Sequence, residues 1–428
     1  MKLIYVVIDG MGDLPIKEFG GQTTLEFAET PNMDYLASKG KLGLMYSVVK
    51  GLAPESDVAV ISILGYDPYK YHVGRGPLEA YGAGLDMKNG DLALRCNFAT
   101  LGHGRTILNR RVGRDLTTEE ATKLTEAMNR EVKLTSHPAE FEFRNTQGHR
   151  GVLVIRSKEG ALSGNITNTD PAYERVGGGL GVAKADVEMV LMECSPLEDT
   201  EPARISARLV NEFTRKSREV LERHEVNRER AAQGRLKANG ILSRDAGDEL
   251  PRFFSINERY GIRFACLADM PVERGISRLA GMHLVEIPPP STDVKADNIL
   301  RAEELLSLLP SFDCFYIHLK GPDEPGHDGK PELKARLIAG IDRFFFGKLL
   351  PKIDRKETLI CVTADHSTPC SLKAHSDDPV PLLISGGTVQ ADGIERFSER
   401  DCVKGSLGVL ERGTELMPML MLFLGRDT

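Results

Sequence analysis

Three short apolar runs, each ending at an acid, constrain this chain more than any other feature. LIYVVI leads directly into Asp9, CFYIHL leads through a short loop to Asp323, and LICVT leads to Asp365 and His366. Runs this short and this uniformly apolar read as strands buried on both faces, the pattern of a parallel sheet. Further strands are expected at 263–267, 283–287 and 381–384, with amphipathic helices such as 302–309 between them. That alternation predicts an α/β domain with a mainly parallel sheet flanked by helices. Ligands of such sheets bind beyond the carboxyl ends of the strands, and Asp9, Asp323 and Asp365 all fall there.

The middle of the chain reads differently. LALRCNFATL and HRGVLVIRS look like antiparallel strands with polar turns, and LTTEEATKLTEAMNREV is a capped helix. A second helix is expected over 202–236, with Ile205, Leu209, Phe213 and Val220 at helical spacing. At 428 residues the chain exceeds one ordinary core. The simplest organisation is a core domain formed by 1–68 and 240–428, interrupted by an inserted α+β cap domain over 69–239.

Bulk properties exclude several classes. An apolar fraction of 41% and a charged fraction of 27% describe a globular protein. The net charge of −7 argues against a nucleic-acid partner. KLIYVVIDG is too short and too soon acidic for a signal peptide, and MPMLMLFLG is too short to cross a bilayer. No membrane partner is therefore expected. Seven scattered cysteines suggest a reducing compartment, so the expected location is the cytoplasm. Oligomeric state is not readable.

Six candidates for metal ligation collect at the strand ends: Asp9, Asp323, His327, Asp365, His366 and His375. Pro325 and Gly326 suggest that Asp323 to His327 form a tight turn. Ser56 precedes DVAVISILGY, a helical pattern, so its hydroxyl sits at a helix N-terminus, where backbone N–H groups favour a phosphate. Each residue has an ordinary alternative: Ser56 as a cap, His327 as a loop residue, His375 as a helix-end charge. Together, three carboxylates and three imidazoles exceed one tetrahedral site and suit two metals, with the serine oxygen completing a shell. Arg110, Arg111 and Arg114 form a basic cluster whose guanidinium forks suit phosphate and carboxylate; the alternative is an exposed basic loop. Asp170, Lys237, Arg274 and Lys320 are further candidates. Cys370, between His366 and His375, reads as a small packed side chain.

Taken together, VVIDGMGDLP, ESDVAVISILGYDP, GPLEAYGAG, SGNITNTDP, HLKGPDEPGHDG and VTADHSTPCSLKAHSDDPVP resemble the archaeal-type, cofactor-independent phosphoglycerate mutases of the alkaline phosphatase superfamily. The resemblance runs over nearly the whole chain. It implies an alkaline-phosphatase-like core and interconversion of 3-phosphoglycerate and 2-phosphoglycerate without 2,3-bisphosphoglycerate. It also implies a division of ligands. Asp323, His327 and His375 hold one divalent ion, Asp9, Asp365 and His366 hold the other, and Ser56 is the shared ligand and nucleophile, passing through phosphoserine. The inserted domain would keep the glycerate from escaping, with Asp170 as the acid–base residue that shuttles its protons and Arg110, Arg111, Arg114, Lys237, Arg274 and Lys320 contacting substrate. Mixed nitrogen and oxygen ligation favours Mn²⁺, with Zn²⁺, Mg²⁺ and Co²⁺ as alternatives. Glu55 departs from the family, where glycine is usual before the serine. Rival readings are a phosphatase or phosphonate-metabolism enzyme on the same core, and a phospho-ligand-binding protein with a structural metal.

Overall fold

The structure, a computed structural model, describes residues 1–176, 180–183, 187–291 and 293–426, with backbone alone for 174–176 and 180–183. The chain divides into two compact units, Met1–Tyr71 with Arg252–Thr428 and His72–Pro251. Strands β1 (Lys2–Ile8) and β2 (Gly40–Met45) open the larger unit. The smaller one contains β3 (Leu92–Leu101), β4 (Ile107–Asn109), β5 (Ala139–Asn145), β6 (Arg150–Ser157), β7 (Tyr173–Val176), β8 (Leu180–Ala183) and β9 (Gly240–Gly247). The larger unit resumes with β10 (Phe264–Leu267), β11 (His283–Leu284), β12 (Cys314–Leu319), β13 (Thr358–Thr363), β14 (Val380–Gly386) and β15 (Gly408–Leu410).

The larger sheet has the order β11-β10-β12-β1-β13-β14-β2-β15. Every pairing in it is parallel except those of β14, which runs against both β13 and β2. Residues Leu3–Ile8 are wholly buried, as both faces of a central strand must be. Registry then sets the site. Ile8 lies opposite Leu319 and Val7 opposite Thr363, so β12, β1 and β13 end side by side. Asp9 N–H donates to the Leu319 carbonyl at 3.0 Å, carrying the alignment one residue past the strand. The acids that follow these three neighbours are thereby delivered to one edge.

The smaller unit is α+β. Its antiparallel sheet has the order β4-β3-β6-β5, with β9 also pairing with β3. The helix Thr118–Glu131, closed at its start by a Thr117/Glu120 capping box, buries Leu124 and Met128 in a common core with Phe143 and Phe213. The helix expected over 202–236 is two helices, Glu201–Arg223 and Glu225–Ala232. His224 adopts extended backbone between them, and its Nδ1 caps the second. The expected boundary at 239/240 also differs. Gly240–Gly247 is β9 and pairs antiparallel with β3, so the chain re-enters the larger unit only after Pro251. Among the described residues, no helix is long and apolar enough to cross a membrane.

Candidate active site

Asp323, His327 and His375 bring one ligand atom each within 4.8 Å of one another. The first two lie on the helix Asp323–Asp328, where a tight turn was expected. Pro325 is compatible with that helix because the first N–H groups of any helix lack intrahelical partners. A Cβ on Gly326 would meet the Thr368 carbonyl at 2.5 Å, so only glycine lets the two segments approach.

The histidines are aimed by backbone. His327 Nδ1 donates to the Lys373 carbonyl at 3.2 Å and His375 Nδ1 to the Pro54 carbonyl at 2.8 Å. Their Nε2 atoms then face each other at 3.2 Å, each 3.4 Å from Asp323 Oδ1. Two imidazole nitrogens and a carboxylate converge in this way only around a cation or a shared proton. Burial alone would push the His375 imidazole down, but Glu55, Asp323 and the Pro54 carbonyl overcome it and push it up to about 10. Burial and the Asp9 charge push the Asp323 carboxyl up; His375 and His366 outweigh both, and it lies well below the usual range.

A second convergence lies at the ends of β1 and β13. His366 Nε2 is 3.5 Å from Asp9 Oδ1, 3.3 Å from Asp365 Oδ2 and 3.2 Å from Ser56 Oγ. Asp365 Oδ1 accepts from the backbone N–H groups of Gly10 and His366, both at 3.1 Å. That leaves Asp365 Oδ2 and Asp9 Oδ1 buried with no hydrogen-bond partner among the described residues. Orphaned, fully buried carboxylate oxygens are costly unless a cation satisfies them. Asp9 also groups with Asp323 and His366, and with His318 and Asp365. The donor set of carboxylates and imidazoles therefore fits divalent metal. Ser56 begins the helix Ser56–Ile63, with Glu55 in the cap position.

Lys320 is not free to meet a substrate anion. Its Nζ lies 2.7 Å from Glu273 Oε1 and 3.2 Å from Asp9 Oδ2. Burial opposes its charge, yet Asp9 and Glu273 raise its pKa. His318, absent from the sequence-based set, is wholly buried with Nδ1 3.0 Å from Tyr316 Oη and Nε2 3.6 Å from Asp365 Oδ2. Tyr316, His318 and Lys320 share one face of β12 and its extension, a two-residue spacing that was the available signal. Arg274 pairs with Glu286 at 2.7 Å instead of with any ligand carboxylate.

Arg110, Arg111 and Arg114 of the smaller unit line a cavity of about 440 Å³ with Asn109, Leu108 and Met189. Val112, Gly113 and Arg114 have φ of 50°, 65° and 61°, a left-handed run that a β-branched residue adopts only under strain. Asn109 Oδ1 holds the turn by accepting from the N–H groups of Arg111 and Gly113. Asp170, expected to shuttle protons, is clamped instead. Arg110 contacts both of its oxygens, at 2.9 and 2.6 Å, and Arg244 reaches Oδ2 at 3.1 Å. Burial raises this carboxyl, but Arg244 and Arg110 bring it below the usual range. So held, it is a poor base near neutrality; its contribution is to orient two guanidiniums.

Sequence reasoning missed Arg95, Arg244 and His149. Arg95 Nε lies 3.3 Å from Glu79 Oε1 and Arg244 Nε 3.6 Å from Asp245 Oδ2, neither in hydrogen-bond geometry. Burial, then Arg150, Arg111, Arg244 and Arg95, push His149 down to about 3. Such an excess of cations suits an anion. Lys237 stands apart from it, paired with Glu222 at 2.6 Å.

Comparison with known proteins covers the chain as a whole. A family profile described as 2,3-bisphosphoglycerate-independent phosphoglycerate mutase matches residues 37–227. A relative of that description from Aeropyrum pernix is 45% identical over 433 residues, covering 99% of this chain and 100% of the relative. A solved protein from Pyrococcus horikoshii has a TM-score of 0.79 at 33% identity, covering 100% of this chain and 98% of its own. The cofactor-independent phosphoglycerate mutase from Thermoplasma acidophilum has a TM-score of 0.62 at 30% identity, with 99% and 100% covered.

Proposed function

The chain belongs to the 2,3-bisphosphoglycerate-independent phosphoglycerate mutases, and from that premise we propose how its residues interconvert 3-phosphoglycerate and 2-phosphoglycerate. Asp323, His327 and His375 would hold one divalent ion and Asp9, Asp365 and His366 a second, with Ser56 as the nucleophile. When bound, the two ions lower the pKa of the serine hydroxyl and offset charge on the phosphoryl oxygens. The observation that carries this reading is the convergence of Ser56 Oγ and two orphaned carboxylate oxygens on His366 Nε2.

Ser56 Oγ gives up its proton and bonds to phosphorus while the bond from phosphorus to the C3 oxygen breaks. That oxygen takes up a proton, leaving glycerate and phosphoserine. The C2 hydroxyl then loses its proton and attacks the same phosphorus, and the serine oxygen leaves. Splitting the transfer into two displacements at one serine removes the need for a second phosphorylated cofactor. Glycerate keeps its carboxylate throughout, and the arginine cluster of the smaller unit is the partner whose chemistry suits it. Asp170 keeps Arg110 and Arg244 aimed.

The test is one incubation with 3-phosphoglycerate, followed for 2-phosphoglycerate and inorganic phosphate, with and without chelator and added Mn²⁺. Conversion to 2-phosphoglycerate that chelation abolishes and Mn²⁺ restores is expected. Conversion that survives complete metal removal refutes the metal reading.

A further inference from the structure

We propose that Thr368 is a positioning residue whose single hydroxyl ties the two ligand sets together; the inference rests on the two-metal reading above. Thr368 is wholly buried, and its Oγ lies 3.0 Å from His366 Nδ1 and 2.8 Å from Asp323 Oδ1. His366 belongs to one set and Asp323 to the other.

Counting protons makes the arrangement directional. A carboxylate oxygen accepts, so the Thr368 hydroxyl must donate to Asp323. A hydroxyl has one proton to give, so towards His366 it accepts, and Nδ1 carries the imidazole proton. The lone pair of His366 is thereby assigned to Nε2, the atom facing Ser56, Asp9 and Asp365. One hydroxyl thus selects the tautomer that ligates in one set and fixes the carboxylate rotamer that ligates in the other.

The hydroxyl is itself held in place. Thr368 N–H donates to the Gly12 carbonyl at 3.0 Å. The Thr368 carbonyl accepts from Lys334 Nζ at 2.9 Å, and Lys334, wholly buried, also bonds the Gly12 carbonyl at 2.9 Å. A Cβ on Gly10, whose φ is +63°, would lie 2.8 Å from Thr368 Oγ and from Asp323 Cα. The glycine after Asp9 is therefore what admits this hydroxyl between the strand ends. Segments following β1, β12 and β13 all meet on one threonine.

Outer partners of metal-ligating histidines and carboxylates contribute about 10–100-fold to metal affinity. Thr368→Val keeps the shape and removes the hydroxyl, whereas Thr368→Ser keeps the hydroxyl and removes a methyl. Mn²⁺ is titrated into the chelator-stripped full chain, and free ion is read from its electron paramagnetic resonance signal. Wild type is expected to bind two ions, Thr368→Val to bind both about 10–100-fold more weakly, and Thr368→Ser to stay close to wild type. At saturating Mn²⁺, kcat falls in the valine variant with KM for 3-phosphoglycerate unchanged. A purely packing role gives the reverse ranking, serine damaged and valine intact, and overturns the proposal. So does weakening confined to one of the two ions. Should the valine variant fail to fold, Thr368→Ala is held to the same expectation. A wild type that binds fewer than two ions refutes the two-metal reading itself, and this inference with it.

Discussion

The metal-free protein should hold a proton on His375 that a metal has to displace, and the consequence can be worked out in both directions. His375 sits with its side chain 10% exposed, and Glu55, Asp323 and the Pro54 carbonyl push it up to about 10 from an ordinary 6.5. At about 1.4 kcal/mol per pH unit, that gap is worth roughly 5 kcal/mol to the folded, metal-free chain. A folded pKa raised above the unfolded one means the stabilisation is full below pH 6.5. It is lost progressively as pH rises through about 10. Metal affinity moves oppositely, because the ion competes with the proton for Nε2. Apparent affinity should rise about tenfold per pH unit across the accessible part of that window.

Two assays read this. Titration calorimetry with Mn²⁺ at pH 8, in buffers of different ionisation enthalpy, should report about one proton released from this residue. Denaturant unfolding of stripped protein should give lower stability at pH 9.5 than at pH 7, a difference that His375→Gln abolishes. Glu55→Gly, which restores the residue usual in this family, should move the upper edge of the window downward. It removes the first of the groups that raise His375. Mn²⁺ affinity that is flat between pH 7 and pH 9, with no proton released, refutes the reasoning.

Ser56→Ala should abolish mutase turnover by several orders of magnitude while both ions still bind, as measured by activity and elemental content on one sample; near-normal rates would make water the nucleophile. Arg110→Ala should send a larger share of turnovers to inorganic phosphate, because glycerate loses a carboxylate partner and Asp170 loses its bidentate clamp; an unchanged product ratio assigns the arginine to structure alone. Lys320→Met should cost the metal-free protein about 3–5 kcal/mol in urea unfolding, since Glu273 and Asp9 would be left buried without their cation. Added Mn²⁺ should recover part of that loss through Asp9.

What could be read in advance follows from where polarity interrupts an apolar run. β1, β12 and β13 are buried on both faces, so their sequences are continuous apolar stretches, and the acids beyond them stand out. β2 carries Gly40 and Gly43 within six residues, and β15 is three residues long, so neither presents such a stretch. The reversed direction of β14 is invisible to any periodicity, because a strand alternates identically whichever way it runs. The glycines of β2 have a physical reason. A Cβ on Gly40 would meet the Ile384 carbonyl at 2.5 Å, and one on Gly43 the Gly408 carbonyl at 2.7 Å.

The same logic separates the proposed ligands from the residues that aim them. Asp9, Asp365 and His366 follow strands and announce themselves, whereas His318 lies inside one and reads as part of its core. Thr368 is a short polar residue in a loop full of them, and nothing local marks it as the hydroxyl shared by His366 and Asp323. Asp170 shows the limit most clearly. TNTDP advertises a carboxylate on a turn, the appearance of a base, but its state is decided by Arg244, 74 residues later. That arginine comes from β9, whose partner β3 lies across almost the entire smaller unit in sequence. The Ser243 carbonyl, accepting from the N–H groups of Thr169 and Asp170, brings this arginine to the acid. That contact joins two segments far apart in sequence, so it cannot be read from the turn that carries the acid.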